Sequence, residues 1–318
     1  MTEHTSMIER VHEYITCKRN LGYLMDVTDG ELLRFARYAD GIGHTGPLSV
    51  ELALNWARLA EHASRLYQAR RLEIVRCFAK YEASFEPSTQ IPPKGMLGAA
   101  HRRIQPYIYT EQEITDLMNT ARRLLPINGL RPKTYSTLIG LLACTGLRVC
   151  EVLKLNRDEV DTEKALLIVR ETKFHKSRVV PLHRSASAAL ADYARFRDRY
   201  LPAAFSARFF LSEQGRAPCY STVCYTFQKL RNGFRRDVHK SERPPRMYDL
   251  RHTFASRRLL KWYHEGADLA HAVPTLSTYL GHVKPTDTYW YITAIPELLA
   301  VATRRFERSV ETSKGGPR

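Results

Sequence analysis

One stretch late in the chain brings together residue types that could bind a phosphate and attack it. It opens with the sequence YDLRH at positions 248–252, continues through an apolar run with helical spacing, and reaches LGH at positions 280–282. Tyr291 follows nine residues after the histidine. Arginine can hold a phosphate through two parallel hydrogen bonds, histidine can add another, and a tyrosine hydroxyl can serve as a nucleophile. The stretch therefore predicts phosphoryl transfer, although each group taken alone is more often a surface pair or a core aromatic.

A further arginine, Arg148, stands at a predicted junction between two helices. A long apolar helix is predicted from Lys133 to about Thr145, Gly146 is expected to end it in the left-handed conformation, and another helix begins directly afterwards. The free N–H groups and the dipole at a helix N-terminus attract phosphate, and an arginine there adds a bidentate grip. The alternative is an exposed arginine that pairs with Glu151 three residues later.

The period of the apolar residues changes between positions 165 and 182, which predicts a β-hairpin. Residues 165–170 form the first strand, residues 178–182 return, and Lys173 lies in the basic turn between them. A lysine at such a tip is normally solvated and inert. A flexible tip could also bring its ammonium group to a phosphate, so the sequence leaves both interpretations open.

The charge of the chain indicates a polyanionic partner. The formal net charge is +16, and nearly all of the excess falls after residue 105. Basic surfaces gain affinity for nucleic acids because binding releases the counterions of the phosphates. The alternative is a protein that is basic without any such partner.

Several classes of protein are excluded or disfavoured by the composition. No apolar run approaches the length needed to span a bilayer, and no secretory signal is visible at the N-terminus. The six cysteines are scattered without a CxxC pair, which is typical of thiols in a reducing compartment. The sequence has neither a His/Asp/Glu cluster with metal-ligand spacing nor a Gly-rich phosphate loop, so no metal or other cofactor is expected. These features predict a cytoplasmic protein that does not enter a membrane.

Proline and glycine spacing divides the chain into two predicted domains. Residues 1–86 are predicted to form a helical domain, residues 87–108 a proline-containing linker, and residues 109–318 a second domain that ends in an amphipathic helix from Pro296. A short strand is also predicted at residues 208–211. The last helix of the first domain and the linker carry the candidate DNA contacts, which are Arg65, Arg70, Arg71, Arg76, Arg102 and Arg103. The alternative for the helical arginines is a solvated face.

Taken together, these motifs resemble the tyrosine recombinase (phage integrase) family over about residues 109–292. The sequence TGLRVCE at 145–151 is similar to the first box of the family, YDLRH to its second, and LGH with the later tyrosine to its histidine and nucleophile. The resemblance implies six catalytic residues, which are Arg148, Lys173, Tyr248, Arg251, His282 and Tyr291. One position departs from the family, because the second box usually begins with histidine and here begins with Tyr248. A phenol can donate a hydrogen bond to a phosphate oxygen but is a poor proton shuttle at neutral pH.

The resemblance also implies a fold and a reaction. The fold is mainly α with a small antiparallel β-sheet, arranged as a two-domain DNA clamp with a helical N-terminal core-binding (SAM-like) domain and an integrase-type catalytic domain. The reaction is site-specific recombination of integrase or transposase type, through a 3′-phosphotyrosyl intermediate and without metal or ATP. The implied partners are double-stranded DNA, further copies of the chain as a dimer or tetramer on that DNA, and accessory recombinases. Association with the nucleoid would follow from DNA binding.

Two other functions remain compatible with the motifs. A type IB topoisomerase shares this chemistry but relaxes supercoils without exchanging partners. A catalytically silent DNA-binding factor would explain the tyrosine at position 248 as decay, although the other five catalytic-type residues are present. Relaxation of a plasmid that lacks any cognate site would favour the topoisomerase.

Overall fold

The computed structural model describes residues 6–23, 25, 28–101, 105–170, 177–202, 206–232, 244–282, 284 and 286–293. The chain divides into two compact units, residues 1–104 and 105–318. Three of the predicted features lie outside the described residues: the lysine at position 173, the arginines at positions 102 and 103, and the helix expected from position 296.

The first unit is helical throughout its regular elements. It contains α1 (Met7–Asn20), α2 (Thr28–Gly41), α3 (Val50–Arg58) and α4 (Arg65–Glu82). Three of these helices begin at a serine whose hydroxyl accepts a hydrogen bond from a backbone N–H of the first turn, at Ser6, Ser49 and Ser64. Their apolar faces meet around Phe35, which contacts both Trp56 and Phe78 edge-on. The helical character predicted for residues 6–86 is confirmed.

Part of the predicted linker packs on the first unit. The backbone N–H of Gln90 donates to the carbonyl of Leu48, and its side-chain oxygen accepts from the N–H of Val50 at the start of α3. Arg76 Nε donates to the carbonyl of Pro92 at 2.9 Å. Arg70 Nε donates to the carbonyl of Ala100 at 3.1 Å, so the segment that follows α4 is anchored to this unit as far as residue 100. The linker role of residues 87–108 stays a prediction.

The second unit combines helices with a small sheet. Its elements in chain order are α5 (Glu111–Ala121), α6 (Leu130–Thr145), α7 (Val149–Lys154), a 3₁₀ turn (Arg157–Glu159), β1 (Val160–Asp161), β2 (Leu166–Val169), β3 (Arg178–Pro181), α8 (Arg184–Tyr200), α9 (Tyr220–Asn232), α10 (Asp249–His264), α11 (Leu269–Leu280) and α12 (Thr286–Thr293). The mainly α fold with a small antiparallel sheet is thus confirmed. No described helix has the length and apolarity needed to cross a membrane.

The sheet is antiparallel, in the order β1-β2-β3, and includes the predicted hairpin. Leu167 pairs with Val180 and Ile168 pairs with Val179. Leu167 and Val180 are buried while Val179 is exposed, because side chains alternate between the two faces of a strand. The pairing fixes Arg178 as the first residue of β3, on the side of the hairpin nearest its turn.

The strand predicted at residues 208–211 is wrong, since the only regular pairing described there is an isolated bridge between Asn156 and Arg208. The bridge is made by the N–H of Phe209 donating to the Leu155 carbonyl and that of Arg157 to the Ala207 carbonyl, while the N–H of Leu211 donates to the hydroxyl of Tyr193. The apolar side chains that suggested a strand are instead buried in the core of the unit.

The helix α6 lies in the centre of the second unit and brings distant sequence segments together. Gly146 ends it with φ +64°, a left-handed conformation that favours glycine. A Cβ at this position would lie 2.4 Å from the ring of Phe254 on α10, so the glycine also permits the close approach of α10. This approach places Arg251 of α10 beside the junction that carries Arg148.

Candidate active site

Arg148 lies at the N-terminus of α7, as predicted, and has two kinds of partner. Its backbone N–H donates to Glu151 Oε2 at 2.9 Å, and its Nη1 donates to Glu151 Oε1 at 2.7 Å. The pairing that was the alternative to a functional role is therefore present. Arg148 Nη2 also donates to the carbonyl of Gly281 at 3.1 Å, which places the same guanidinium next to His282. The side chain is partly exposed, so a ligand can reach it.

Arg251 is a buried cation without a buried anion beside it. Its side chain belongs to α10, and the residue is 1% exposed. Nη1 donates to the carbonyl of Gly146 at 2.9 Å, and Nη2 donates to the carbonyl of Leu280 at 2.7 Å and to His282 Nε2 at 2.9 Å. Among the described residues no carboxylate oxygen lies within ion-pairing distance of it. Burying an unpaired charge is costly, so an anion that binds beside this guanidinium would offset that cost.

The turn after α11 is held by three arginines. Gly281 caps the helix with φ +68°, and the carbonyls just before and at this turn each accept one hydrogen bond: Tyr279 from Arg178 Nε at 2.8 Å, Leu280 from Arg251 Nη2 at 2.7 Å, and Gly281 from Arg148 Nη2 at 3.1 Å. The last carbonyls of a helix lack partners within the helix, so these bonds satisfy groups that would otherwise be orphaned. The position of His282, the next residue, is thereby coupled to all three guanidinium groups.

His282 is neutral in this arrangement. Arg251 can only donate, so Nε2 of the imidazole accepts, and the ring proton on Nδ1 is donated to Thr288 Oγ1 at 2.7 Å. Burial lowers the pKa of His282 to about 3, and the charges of Arg251, Arg148 and the nearby Arg178 act in the same direction. A negatively charged phosphate beside the ring would oppose this effect and favour the imidazolium.

Tyr291 lies inside the site and Tyr289 outside it. Both residues belong to α12, but Tyr291 is 2% exposed and Tyr289 is 48% exposed. The ring of Tyr291 stacks on His282 at a centroid distance of 5.8 Å and meets the edge of His252 at 5.2 Å. Burial raises the pKa of the Tyr291 hydroxyl, and the adjacent Arg251 works against this rise. The nucleophile predicted from the sequence is therefore oriented towards the arginines.

Tyr248 stands at the edge of this cluster. It precedes α10 and is partly exposed, and its ring meets the edge of His252 at a centroid distance of 5.0 Å. His252 is itself buried, its Nδ1 has no hydrogen-bond partner among the described residues, and burial lowers its pKa to about 4. Tyr248 and Tyr291 therefore both contact the same imidazole.

The sequence interpretation missed three supporting residues. Arg178 and Thr288 were not singled out, and Glu151 was considered only as a reason for Arg148 to be inert. Glu151 could have been recognised from its position at N3 of a helix whose N-cap is Arg148. Thr288 and Arg178 carried no local signal, because their roles depend on contacts across 6 and 101 residues with His282 and Tyr279.

The candidate DNA contacts on α4 are not equivalent. Arg65 and Arg70 are exposed, and Arg76 is partly buried against Pro92. Arg71 is 8% exposed, stacks on the indole of Trp56 at 3.9 Å and lies 3.7 Å from a carboxylate oxygen of Glu31. Its guanidinium is occupied in the core of the unit, so we withdraw Arg71 from the predicted DNA contacts. Among the described residues no group of three or more potential metal ligands is present.

Comparisons with known proteins agree with these motifs. Residues 108–297 match the phage integrase family. A protein of Sinorhizobium fredii named as an integrase/recombinase, y4rB, is 39% identical over 95% of this chain and 98% of its own length. The solved integrase of transposon Tn1549, in complex with transposon right end DNA, has a similar fold, with a TM-score of 0.67, 15% identity, and coverage of 94% of this chain and 98% of that one. The XerH recombinase bound to a palindromic difH substrate is also similar, with a TM-score of 0.64, 16% identity, and coverage of 93% and 84%.

Proposed function

The chain belongs to the phage integrase family of tyrosine site-specific recombinases, and from that premise we propose that it breaks and rejoins double-stranded DNA through Tyr291. The Tyr291 oxygen attacks the scissile phosphorus and forms a new P–O bond, while the bond to the 5′-oxygen of the leaving strand breaks. The products are a 3′-phosphotyrosyl linkage and a free 5′-hydroxyl. Because one phosphodiester replaces another, the reverse attack by a 5′-hydroxyl rejoins a strand without ATP.

The observation that carries this proposal is the buried, uncompensated charge of Arg251 next to Arg148, His282 and Tyr291. Phosphoryl transfer depends chiefly on positioning the reactants and stabilising charge on the nonbridging oxygens. Two guanidinium groups converge on one turn, and the nucleophile lies against the imidazole that follows it. A scissile phosphate that accepts hydrogen bonds from both arginines would supply the anion that Arg251 lacks.

His282 must change its hydrogen bonding during the reaction. In the free site its Nε2 accepts from Arg251, so it has no proton to donate towards a phosphate. When a phosphate oxygen takes the Arg251 hydrogen bond, Nε2 is released and the phosphate charge favours its protonation. We therefore propose that His282 becomes a third donor to the phosphate only after DNA binds.

The experiment that tests the function is capture of the covalent adduct. The full chain is incubated with a library of duplex DNA fragments, denatured rapidly, and the protein-linked strands are sequenced and the attached peptide is mapped. A recombinase gives adducts at one recurrent sequence, attached through Tyr291. Adducts spread over unrelated sequences, with relaxation of a plasmid that lacks the recurrent site, would support the topoisomerase alternative. Absence of any adduct would support the silent DNA-binding factor.

DNA binding is proposed to involve both units, as a clamp around the duplex, with additional copies of the chain on the same DNA. The relatives in this fold include a transposon integrase bound to DNA and a recombinase on a palindromic site. A palindrome places two copies of a protein in symmetric positions, so self-association on DNA is the expected arrangement. Accessory recombinases and nucleoid association remain part of the proposal.

Charge reversal on α4 should distinguish DNA-binding arginines from packing arginines. We expect the Arg65→Glu/Arg70→Glu variant to bind the captured duplex more weakly, with the salt slope reduced by about one unit for each phosphate that is no longer neutralised. The Arg71→Gln variant should instead lower the melting temperature and leave the salt slope unchanged, because it removes the stacking on Trp56. An unchanged slope in the double variant would remove α4 from the DNA surface.

Tyr248 is predicted to donate a hydrogen bond to the phosphate. The Tyr248→Phe variant should then cleave slower by on the order of tenfold to a thousandfold, as expected for loss of one donor to a developing oxyanion. Tyr248→His, which restores the residue usual for the family, should retain activity. Single-turnover rates of adduct formation measure both, and full activity in the Phe variant would reduce Tyr248 to a packing partner of His252.

Lys173 is predicted to protonate the leaving 5′-oxygen as a general acid. The Lys173→Ala variant should stall on normal DNA yet cleave a duplex in which sulfur replaces the 5′-bridging oxygen, because a thiolate leaves without a proton. Lys176→Ala, three residues later in the sequence, is the matched control and should cleave both substrates. If sulfur does not rescue Lys173→Ala, the general acid lies elsewhere, and rescue of Lys176→Ala alone would assign it to Lys176.

A further inference from the structure

Arg178 is partly buried beside Arg148 and the turn before His282, and it is not among the residues proposed to touch the phosphate. It begins β3, and its side chain is 13% exposed. Three of its N–H groups have partners: Nη2 donates to Glu151 Oε2 at 2.8 Å, Nη1 to Glu151 Oε1 at 3.1 Å, and Nε to the Tyr279 carbonyl at 2.8 Å. The guanidinium therefore joins the hairpin to α7 and to the end of α11, which are the elements that carry Arg148 and His282.

Glu151 is shared between two arginines. The same carboxylate accepts the bidentate pair from Arg178, the Nη1 of Arg148 and the backbone N–H of Arg148. Burial would raise the pKa of Glu151, but the hydrogen bonds and charge of Arg178, followed by those of Arg148, hold it below the usual range. With two guanidinium groups on one carboxylate, this cluster keeps a net positive charge, and Arg148 is not neutralised by its neighbour.

Because Glu151 pairs with two arginines, one of them can leave it when a phosphate binds. Arg148 must direct N–H groups at the phosphate, which weakens its bond to Glu151. A buried carboxylate that is left without any partner suffers the full penalty of desolvation. Because Arg178 keeps both oxygens of Glu151 occupied, Arg148 can turn to the phosphate while the carboxylate stays paired.

The contact between Arg178 and the turn before His282 is close. A Cβ on Gly281 would lie 2.8 Å from Arg178 Nη1, so a residue with a side chain would push the guanidinium away. The left-handed φ of Gly281 disfavours other residues independently. Gly281 thus fits the turn and makes room for the arginine that holds it.

We propose that Arg178 is a positioning residue for strand cleavage: by pairing with Glu151 and the Tyr279 carbonyl it sets the Arg148 guanidinium and the His282 turn in place before DNA binds. This inference rests on the proposed cleavage through Tyr291. It assigns Arg178 no contact with the DNA or with the reacting atoms.

The test compares Arg178→Gln and Arg178→Lys with the wild type in single-turnover adduct formation on a nicked duplex of the captured sequence, across pH. Arg170→Gln is the matched control, because it removes the ion pair of another arginine of the same hairpin, an exposed one that pairs with Glu159 and not with Glu151. We expect Arg178→Gln to bind the duplex within about threefold of wild type and to cleave on the order of a hundredfold slower at pH 7, comparable with the loss of one catalytic donor. Arg178→Lys should recover part of the rate, and Arg170→Gln should match the wild type in cleavage.

The pH profile separates positioning from simple loss of structure. Without Arg178, the largest influence lowering the pKa of Glu151 is gone, so the carboxyl protonates at a higher pH and releases Arg148 there. The cleavage rate should fall at low pH, where Glu151 is protonated, and this acid limb should lie higher by about one pH unit or more in Arg178→Gln. In an Arg178→Gln/Glu151→Gln double variant, this limb should be absent.

Several outcomes would overturn the proposal. Wild-type cleavage rates in Arg178→Gln, an acid limb that does not move, or a parallel loss of binding and cleavage would each contradict it. If Arg178→Gln fails to fold, Arg178→Lys decides: slowed cleavage with normal binding supports the proposal, and a wild-type rate contradicts it. If the wild-type chain itself forms no adduct at Tyr291, the proposed function fails instead, and the two failures are thereby distinguished.

Discussion

The Tyr291→Phe protein should bind DNA as tightly as the wild type and form no covalent adduct. The change removes one hydroxyl from a ring that is 2% exposed and lies against His282 and His252. The aromatic packing remains, so the fold and the DNA-binding surface should be unaffected. Because the hydroxyl is the proposed nucleophile, the expected loss of adduct is complete. The measurement is trapping on a nicked duplex, from which the cleaved strand cannot rejoin.

Tyr289→Phe provides the matched control for this prediction. Positions two apart on a helix point about 200° apart, so Tyr289 and Tyr291 cannot face the same phosphate. Tyr289 is 48% exposed, and loss of its hydroxyl should leave the adduct yield unchanged. An adduct in the Tyr291→Phe protein, or an adduct peptide that maps to Tyr289, would overturn the assignment of the nucleophile.

The candidate residues could be predicted from the sequence because their order and spacing together resemble the family, although each motif alone is weak. Gly146 ends an apolar helix and Gly281 ends another, and both have the left-handed φ expected of such caps. These caps determine where Arg148 and His282 lie relative to the ends of α6 and α11. The resemblance to the family, through the nine-residue spacing from His282, then identified Tyr291.

The contacts of Arg178 could not be predicted because they are made between segments far apart in the chain. Nothing near Arg178 in the sequence indicates that its partners are Glu151, 27 residues earlier, and the Tyr279 carbonyl, 101 residues later. The same limit explains the correction at Arg71. Arg71 directly follows the exposed Arg70 in the sequence, but the indole of Trp56 on α3 stacks on it, and the sequence of α4 does not show that contact.

The strand expected at residues 208–211 failed for a related reason. Phe209, Phe210 and Leu211 form a short apolar run, and such a run predicts burial more reliably than it predicts a strand. They are buried against Tyr193, whose ring lies 5.6 Å from Phe209 and 5.1 Å from Phe210. The hydroxyl of Tyr193 takes the hydrogen bond from the N–H of Leu211 that a neighbouring strand would have taken.

Replacing Arg251 with lysine should slow cleavage by on the order of a hundredfold to a thousandfold. Lysine keeps the positive charge but not the planar fork, so it cannot bond the Gly146 carbonyl, the Leu280 carbonyl and a phosphate oxygen in one geometry. It would also lose the hydrogen bond that fixes the tautomer of His282. Both effects reduce the stabilisation of charge on the phosphate while the exposed DNA-binding surface stays the same.

The control for Arg251→Lys is Arg258→Lys, on the same helix. Arg258 lies over the rings of Phe254 and Trp262 and has no described contact with the turn at Gly281, so its replacement should leave the cleavage rate near that of the wild type. Melting temperatures and duplex affinities of both variants show whether a slow rate comes from the chemical step. If binding and folding are intact, a slow Arg251→Lys enzyme has lost stabilisation of the transition state. The interaction removed is one that strengthens as charge develops on the phosphate. A wild-type rate in Arg251→Lys would mean that this buried guanidinium serves the turn before His282 and not the phosphate.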